Sequence, residues 1–322
     1  MNLAEHPPTI SILVPTYRRK ALLERNLRCC AAALQGVEPQ FEVLVGDNGA
    51  DPEIATLLTS WSAETGISAR YYGEVLPTME ANHQRLLSAA RGTWVQVVHD
   101  DDYLLPGSGA LLLASVAETK DTLRPIRHAV MLVDHSGKQL RVEGMNPSRT
   151  FHPRDAVHRL ISESSFVRMP AMLLPREPLI AAGGFDRGMG PLFDWATWLA
   201  LVETKGLITQ PRMTAAYTLH PQAETDQMFT PRIISQLEVL LLEHGKRVGF
   251  NPQELKRALG RFLWRFGLAG CIRAVKRKDY RCLESRLQML VEPPFARWPC
   301  PWRWLPLFWF LRSWVGLSKA VL

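Results

Sequence analysis

The chain has 322 residues, 47% hydrophobic and 21% charged; that is enough apolar content for one large core or two smaller ones, and too much for a disordered polypeptide. The net charge of +7 is uneven: residues 250–322 hold 14 Lys/Arg against 4 Asp/Glu, a local +10, and the remainder carries 24 against 27, a local −3. The five cysteines (Cys29, Cys30, Cys271, Cys282 and Cys300) are odd in number, include two neighbours and form no CxxC, which argues against a disulfide framework or a zinc site and suits a reducing compartment.

The opening "MNLAEHPPTI" has no basic start and no apolar stretch, so no signal peptide is expected. "TISILVPTY" reads as a buried strand ending at Pro15. "ALLERNLRCCAAALQ" has helical spacing, with Gly36 as its stop. "FEVLVGDNGA" is a second strand running into a turn, and "ARYYGE" a third. "TMEANHQRLLSAARG" is a helix closed by Gly92, and "TWVQVVHDD" a fourth strand. Alternating strands and helices with continuously apolar strands predict a parallel sheet covered by helices on both faces. Ligands of such sheets bind outside the carboxyl ends of the strands. The clusters "PTYRR", "GDNGAD" and "HDDDY" sit at those ends and are expected to line one crevice.

From about Arg127 the pattern changes. "AVMLVDHSGKQLRVEG" predicts a hairpin turning at His135-Ser136-Gly137, "FDWATWLALVETKG" an apolar helix and "MTAAYTLH" a strand. Beyond about Asp226 the chain reads as helical, and its end is rich in Pro, Trp and Arg. The expected division is an α/β domain over residues 1–225 and a helical, basic region over 226–322. Six of the ten tryptophans lie in residues 250–322. A basic tail interleaved with aromatics suggests nucleic acid or an anionic membrane surface as partner.

The stretch "TWVQVVHDDDYLLPG" places Asp100, Asp101 and Asp102 between two apolar flanks. A solvated turn fits those flanks poorly. A phosphatase-type nucleophilic aspartate usually follows a first strand, with Thr or Val close behind the second Asp; this triplet follows a fourth strand and Tyr103 stands next. A divalent cation bridging to phosphate oxygens is the preferred reading. Mg²⁺ and Mn²⁺ take carboxylates plus substrate phosphates, and the cation removes the repulsion among the carboxylates.

Taken together, "SILVPTYRR", "FEVLVGDNGAD", "EANHQRLLSAARGTWVQVVHDDDYLLPG", "AAGGFD" and "LFDWATWLAL" resemble family 2 glycosyltransferases with the nucleotide-sugar-binding GT-A fold. Each motif alone is weak; all five in order, over roughly residues 9–220, are a strong signal. The resemblance implies that Pro15, Thr16 and Tyr17 touch the nucleotide, that Asp47 accepts a hydrogen bond from the base, and that Asn82 lies near the nucleotide. It makes the triplet the metal-binding aspartate motif, with Asp101 and Asp102 on Mg²⁺ or Mn²⁺ and Asp100 nearer the ribose or sugar. Many relatives read Asp-x-Asp-Asp, and His99 stands where their first Asp does. Asp194 takes the place of the general base, although Phe193 replaces the Glu or Asp that usually precedes it. Gly183 and Gly184 match a turn beside the acceptor site, with Gly184 and Trp195 assigned to the acceptor, and His220 is a weak candidate for metal or diphosphate.

Each lesser member also has a structural reading: packing for Tyr17, a turn cap with Asn48 and Gly49 for Asp47, helix surface for Asn82, a helix N-cap for Asp194, a helix C-cap for the two glycines and a surface position for His220. Arg18 and Arg19 read as solvated or as phosphate contacts. The expectation is an inverting transferase that moves a sugar from a nucleotide-diphospho-sugar, UDP by default with dTDP and GDP open, to a hydroxyl of a lipid-linked or cell-surface glycan. Residues 295–319 are expected to dock it on the cytoplasmic face of a membrane without crossing it. The rivals are an inactive nucleotide-sugar-binding scaffold and a nucleic-acid-binding protein. No RNA- or DNA-binding motif appears, so nucleic acid is not an expected partner.

Overall fold

β1 (Ile10–Thr16) and β2 (Phe41–Asp47) are buried at every position, as strands covered on both faces must be. They belong to a computed structural model that describes residues 7–119, 122–163, 166–185, 188–219 and 230–320. β3 (Ser68–Gly73), β2, β1 and β4 (Trp94–Val97) lie side by side and parallel, with Thr16 opposite Asp47 and Leu13 opposite Val97. Their carboxyl ends therefore fall on one edge. The crossovers are α1 (Lys20–Leu34), α2 (Pro52–Thr65) and α3 (Met79–Ala89). α2 is an element the sequence reading did not include. Its ends are marked all the same: Asp51 caps the Glu53 N–H, Pro52 opens the helix, and Gly66 closes it at φ 71°.

Beyond β4 the sheet becomes mixed. β5 (Tyr103–Leu104) and α4 (Ser108–Thr119) lead to β6 (Ile126–Asp134), which pairs with β7 (Gln139–Glu143) as the expected hairpin, Gly137 turning at φ 84°. β8 (Arg149–Phe151) follows, then α5 (Pro153–Ser162). β9 (Met172–Pro175) inserts between β4 and β6, antiparallel to both. The predicted parallel sheet thus holds over the four strands from which it was read. At four residues, all buried, β9 carries no periodicity to read. After α6 (Arg176–Ala181) and α7 (Phe193–Lys205), β10 (Leu207–Leu219) runs parallel to β6. Its register slips on either side of Met213, just past Pro211, which has no ladder donor to offer. The order across the sheet is β3-β2-β1-β4-β9-β6-β10-β5.

Two units divide the chain: Met1–His152 with Val167–His220, which holds the whole sheet, and Pro153–Phe166 with Pro221–Leu322. The second is helical, as expected after about Asp226. It contains α5, α8 (Pro231–Arg247), α9 (Pro252–Lys276), α10 (Tyr280–Met289) and α11 (Leu305–Ala320). A capping box of Asn251 and Glu254 opens α9. Pro306 stands in the first turn of α11, where its missing N–H has no helical partner to lose. No described helix is long and apolar enough to cross a membrane.

Candidate active site

β4 ends at Val97, short of the expected Asp101, because the chain turns: Asp102 N–H donates to the His99 carbonyl at 3.0 Å. Two elements clamp this turn. From α1, buried Asn26 donates to the carbonyls of His99 and Asp102 at 3.0 Å each, and Arg25 donates to that of Asp101 at 2.5 Å. From β10, Thr218 N–H donates to Asp102 Oδ1 at 2.8 Å, and its hydroxyl donates to the Asp101 carbonyl. The carbonyls of His99, Asp101 and Asp102 are thus engaged by side chains of α1 and β10.

The carboxylates differ in their surroundings. Asp100 accepts from the Thr16 hydroxyl at 2.7 Å and from Arg19 at 3.3 Å; Asp101 lies 3.4 Å from the same guanidinium. Burial pushes the Asp100 carboxyl up and the Asp101 charge adds to that, against the Thr16 bond. Asp102 is buried, yet its Oδ2 has no hydrogen-bond partner among the described residues. Burial, then the Asp101 charge, push it well above the ordinary carboxylate range. One donor atom each from His99, Asp101 and Asp102 lie within 4.8 Å of one another. An orphaned buried oxygen in such a group is what a divalent cation would satisfy, so these residues fit one. His220, the other expected ligand, lies outside the described residues.

Behind the turn stands His83 of α3. Its Nδ1 is 2.8 Å from the Met79 carbonyl, and its Nε2 is 3.0 Å from His99 Nε2. Phe193 and Phe185 pack against its ring with centroids 4.9 and 5.6 Å away. Burial, with His99 adding, pushes its pKa down to about 3, so the ring is neutral. Phe193, the departure from the expected acidic residue, is therefore the packing partner of a buried histidine.

Asp194 follows Phe193 inside the first turn of α7. Leu192 occupies the N-cap and makes no side-chain cap, so Asp194 is not the N-cap. Its Oδ1 accepts from Trp195 N–H at 2.7 Å, and burial pushes it up to about 6. Tyr217 on β10 lies partly buried in the same surroundings. Burial first, then the charges of Asp102, Asp101 and Asp194, raise its hydroxyl to about 12, with Arg168 opposing.

The remaining expected residues are held by their own loops. Thr16 and Pro15 are buried, and Tyr17 is 52% exposed, with the Arg18 guanidinium 5.1 Å from its ring. Asp47 uses both oxygens locally: Oδ1 accepts from Gly49 N–H and Oδ2 from Asp51 N–H, both at 2.7 Å, and Oδ2 also accepts from Tyr71 at 3.0 Å. Asn82 is buried, donates to the Gly46 carbonyl at 2.8 Å and accepts from Arg85 at 2.7 Å. Gly183 and Gly184 close α6, their N–H groups donating to Ile180 and Leu179 carbonyls at 2.9 Å each. A Cβ on Gly184 would come within 2.2 Å of Gln84 Oε1, which accepts from Phe185 N–H.

The model of glycosyl transferase family 2 matches residues 11–168, from β1 past the triplet. Residues 11–168 belong to glycosyl transferase family 2. An uncharacterized Mycobacterium tuberculosis protein, MT1568, is 26% identical over 238 residues, covering 70% of this chain and 72% of its own. Among solved structures, S. aureus TarS superposes with a TM-score of 0.62 at 15% identity, over 95% of this chain and 53% of TarS; the chain spans about half the length of that protein. TarS 1–349 in complex with UDP-GlcNAc gives 0.59 at 14% identity, over 95% and 87%. The mannosyltransferase PcManGT from Pyrobaculum calidifontis, in complex with GDP-Man and Mn²⁺, gives 0.52 at 15%, over 98% and 88%. These likenesses show the GT-A glycosyltransferase fold.

Asn26 and His83 were missed by sequence reading, as were Arg25, Tyr217 and Thr218. A signal existed for two of them. Asn26 lies on the apolar stripe of α1 with Leu23, Leu27 and Cys30, and His83 on that of α3 with Leu86 and Leu87. A polar side chain on a buried stripe must find a partner inside.

Proposed function

We propose that this chain is an inverting glycosyltransferase that moves a sugar from a nucleotide-diphospho-sugar, a UDP-sugar by default, to a hydroxyl of a glycan or lipid-linked acceptor. The observation that carries this reading is the clustered triplet with a partnerless buried oxygen at the end of β4, to which Asp194 in the first turn of α7 adds a second carboxylate, raised to about 6. Asp194 is mostly ionised at neutral pH and takes the proton of the acceptor hydroxyl. That oxygen attacks the anomeric carbon. The bond from this carbon to the diphosphate oxygen breaks, and its electron pair leaves with the nucleoside diphosphate. A divalent cation, Mg²⁺ or Mn²⁺, on Asp101 and Asp102 neutralises the diphosphate when bound.

Asp100, steadied by Thr16 and Arg19, faces the ribose or sugar. Pro15, Thr16 and Tyr17 border the nucleotide, Asp47 and Asn82 fix the loops around its base, and Gly184 and Trp195 border the acceptor. The nucleotide-sugar complexes of TarS and of the archaeal mannosyltransferase support the donor class. The exposed aromatics of the second unit support attachment to the cytoplasmic face of a membrane. The deciding experiment is a nucleotide-sugar panel with Mg²⁺, Mn²⁺ or EDTA, read as nucleoside diphosphate release and as the anomeric configuration of the product. Inverted product that needs the cation is expected. Binding of a donor without any turnover would make the chain a nucleotide-sugar-binding scaffold instead.

A further inference from the structure

We propose that His99 is a nitrogen ligand of the divalent cation, oriented by His83, and that the site favours Mn²⁺ over Mg²⁺ for this reason. The inference rests on the reading of Asp101 and Asp102 as cation ligands, and goes beyond it in the donor set and in the ion chosen.

A hydrogen-bond chain fixes the donor atom. The Met79 carbonyl can only accept, so His83 Nδ1, 2.8 Å away, carries a hydrogen. The His83 and His99 Nε2 atoms are 3.0 Å apart, so one of the two donates. A second hydrogen on His83 would make it a cation enclosed by Phe185 and Phe193, a costly burial. His83 Nε2 is therefore the acceptor and His99 Nε2 carries the hydrogen. The lone pair of His99 is then at Nδ1.

This is the arrangement of a metal-binding histidine, whose second ring nitrogen donates to a fixed acceptor that sets its tautomer and direction. One ring nitrogen of His99 and one carboxylate oxygen each of Asp101 and Asp102 lie within 4.8 Å of one another, and Asp102 Oδ2 is buried without a partner among the described residues. A carboxylate at this place, as in an Asp-x-Asp-Asp sequence, would complete an all-oxygen set suited to Mg²⁺. Imidazole nitrogen shifts preference toward transition ions.

The test is pulsed electron paramagnetic resonance of Mn²⁺ bound to the full-length chain, alone and with UDP, beside calorimetric titrations of Mn²⁺ and Mg²⁺. The wild type should show ¹⁴N coupling from a directly bound imidazole. His99→Asp should still bind Mn²⁺, lose the coupling, and narrow the Mn²⁺-over-Mg²⁺ ratio. His83→Phe, which keeps the aromatic packing, should retain the coupling while Mn²⁺ affinity falls roughly 10- to 100-fold. Bound Mn²⁺ without ¹⁴N coupling in the wild type overturns the inference and leaves the carboxylate site standing. Failure of the wild type to bind Mn²⁺ at all overturns both. An unchanged affinity in a folded His83→Phe removes the orienting role of His83.

Discussion

A carboxyl group raised to about 6 has two measurable consequences at Asp194. Its base form is lost as pH falls through about 6, so kcat/KM should decline on the acid side with that midpoint. Asp194→Asn should keep donor affinity and lose roughly 10²–10⁴-fold in turnover, the usual contribution of a general base. The second consequence is stability. Because the folded pKa lies above the ordinary 3.8, ionisation in the folded state is penalised, and the penalty is complete only above about 6. Asp194→Asn escapes it. The variant should therefore be more stable than wild type at pH 7, on the order of 1–3 kcal/mol, with the advantage fading as pH drops toward 4. Denaturant titrations at pH 4 and pH 7 check this. A variant less stable at both would give Asp194 a structural role and move the base elsewhere. At Asp102 the prediction concerns the cation. Asp102→Asn keeps an acceptor for Thr218 and relieves the repulsion, so the apo chain should be no less stable. The rise in Tm on adding Mn²⁺, present in wild type by mass action, should vanish, and so should transfer. Full activity of the variant in EDTA would remove the cation from the reaction.

At the scale of elements, the triplet turn depends on α1 and β10 rather than on the strand that leads into it. From α1, the Asn26 side chain donates to both the His99 and the Asp102 carbonyls. Asn26→Leu, similar in volume, would leave those carbonyls without it. A loss of roughly 1–3 kcal/mol is expected, the cost of taking the side-chain donor from the Asp102 carbonyl while the His99 carbonyl keeps the Asp102 N–H, together with weaker Mn²⁺ binding as the turn loosens. Equal Mn²⁺ affinity in a destabilised variant would confine Asn26 to folding. The same geometry explains what could be read in advance. β1, β2 and β4 were legible because each is an apolar run stopped by a turn, and the hairpin because Gly137 marks its bend. The triplet and Asp194 stood out because charge beside apolar sequence is conspicuous. β9 did not, being short and uniformly buried. Nor did the clamp on the triplet, because Asn26 and Thr218 are distant in sequence from the carbonyls they bind, and no local pattern announces such a pairing. Asp47 and Asn82 show a different limit. Their residue types suit a ligand contact and a loop anchor equally, and only the hydrogen bonds to Gly49, Asp51, Tyr71 and Gly46 reveal the anchoring.

For the whole molecule, the open matter is where the chemistry takes place, and the C-terminal aromatics bear on it. They fall into two sets within the second unit. Trp298 donates its indole N–H to buried Glu238 at 2.6 Å, and Trp264 donates to the Trp298 carbonyl at 3.0 Å and meets Phe308 with ring centroids 5.5 Å apart. These are packing residues. Trp302, Trp309 and Phe310 are 83%, 57% and 66% exposed, and Arg303 and Arg312 are exposed beside them. Tryptophan prefers the headgroup region, and arginine meets anionic lipid. α11 has 16 residues, short of the roughly 20 a span requires, so it would lie on the surface. Truncation before Trp298 would take the indole donor from buried Glu238, leaving it Arg297 alone, and confuse the result with unfolding. The sharper variant is Trp302→Ser, Trp309→Ser and Phe310→Ser together, which keeps Trp264, Trp298 and Phe308 and gives up the Trp309 ring contact with Phe308. Wild type should sediment with anionic liposomes more than with neutral ones, and high salt should weaken that binding by screening the arginines. The triple variant should remain in the supernatant with unchanged turnover on a water-soluble acceptor. Equal sedimentation of the two proteins, or a wild type that never binds liposomes, would assign these aromatics to a protein partner and separate the enzyme from the membrane.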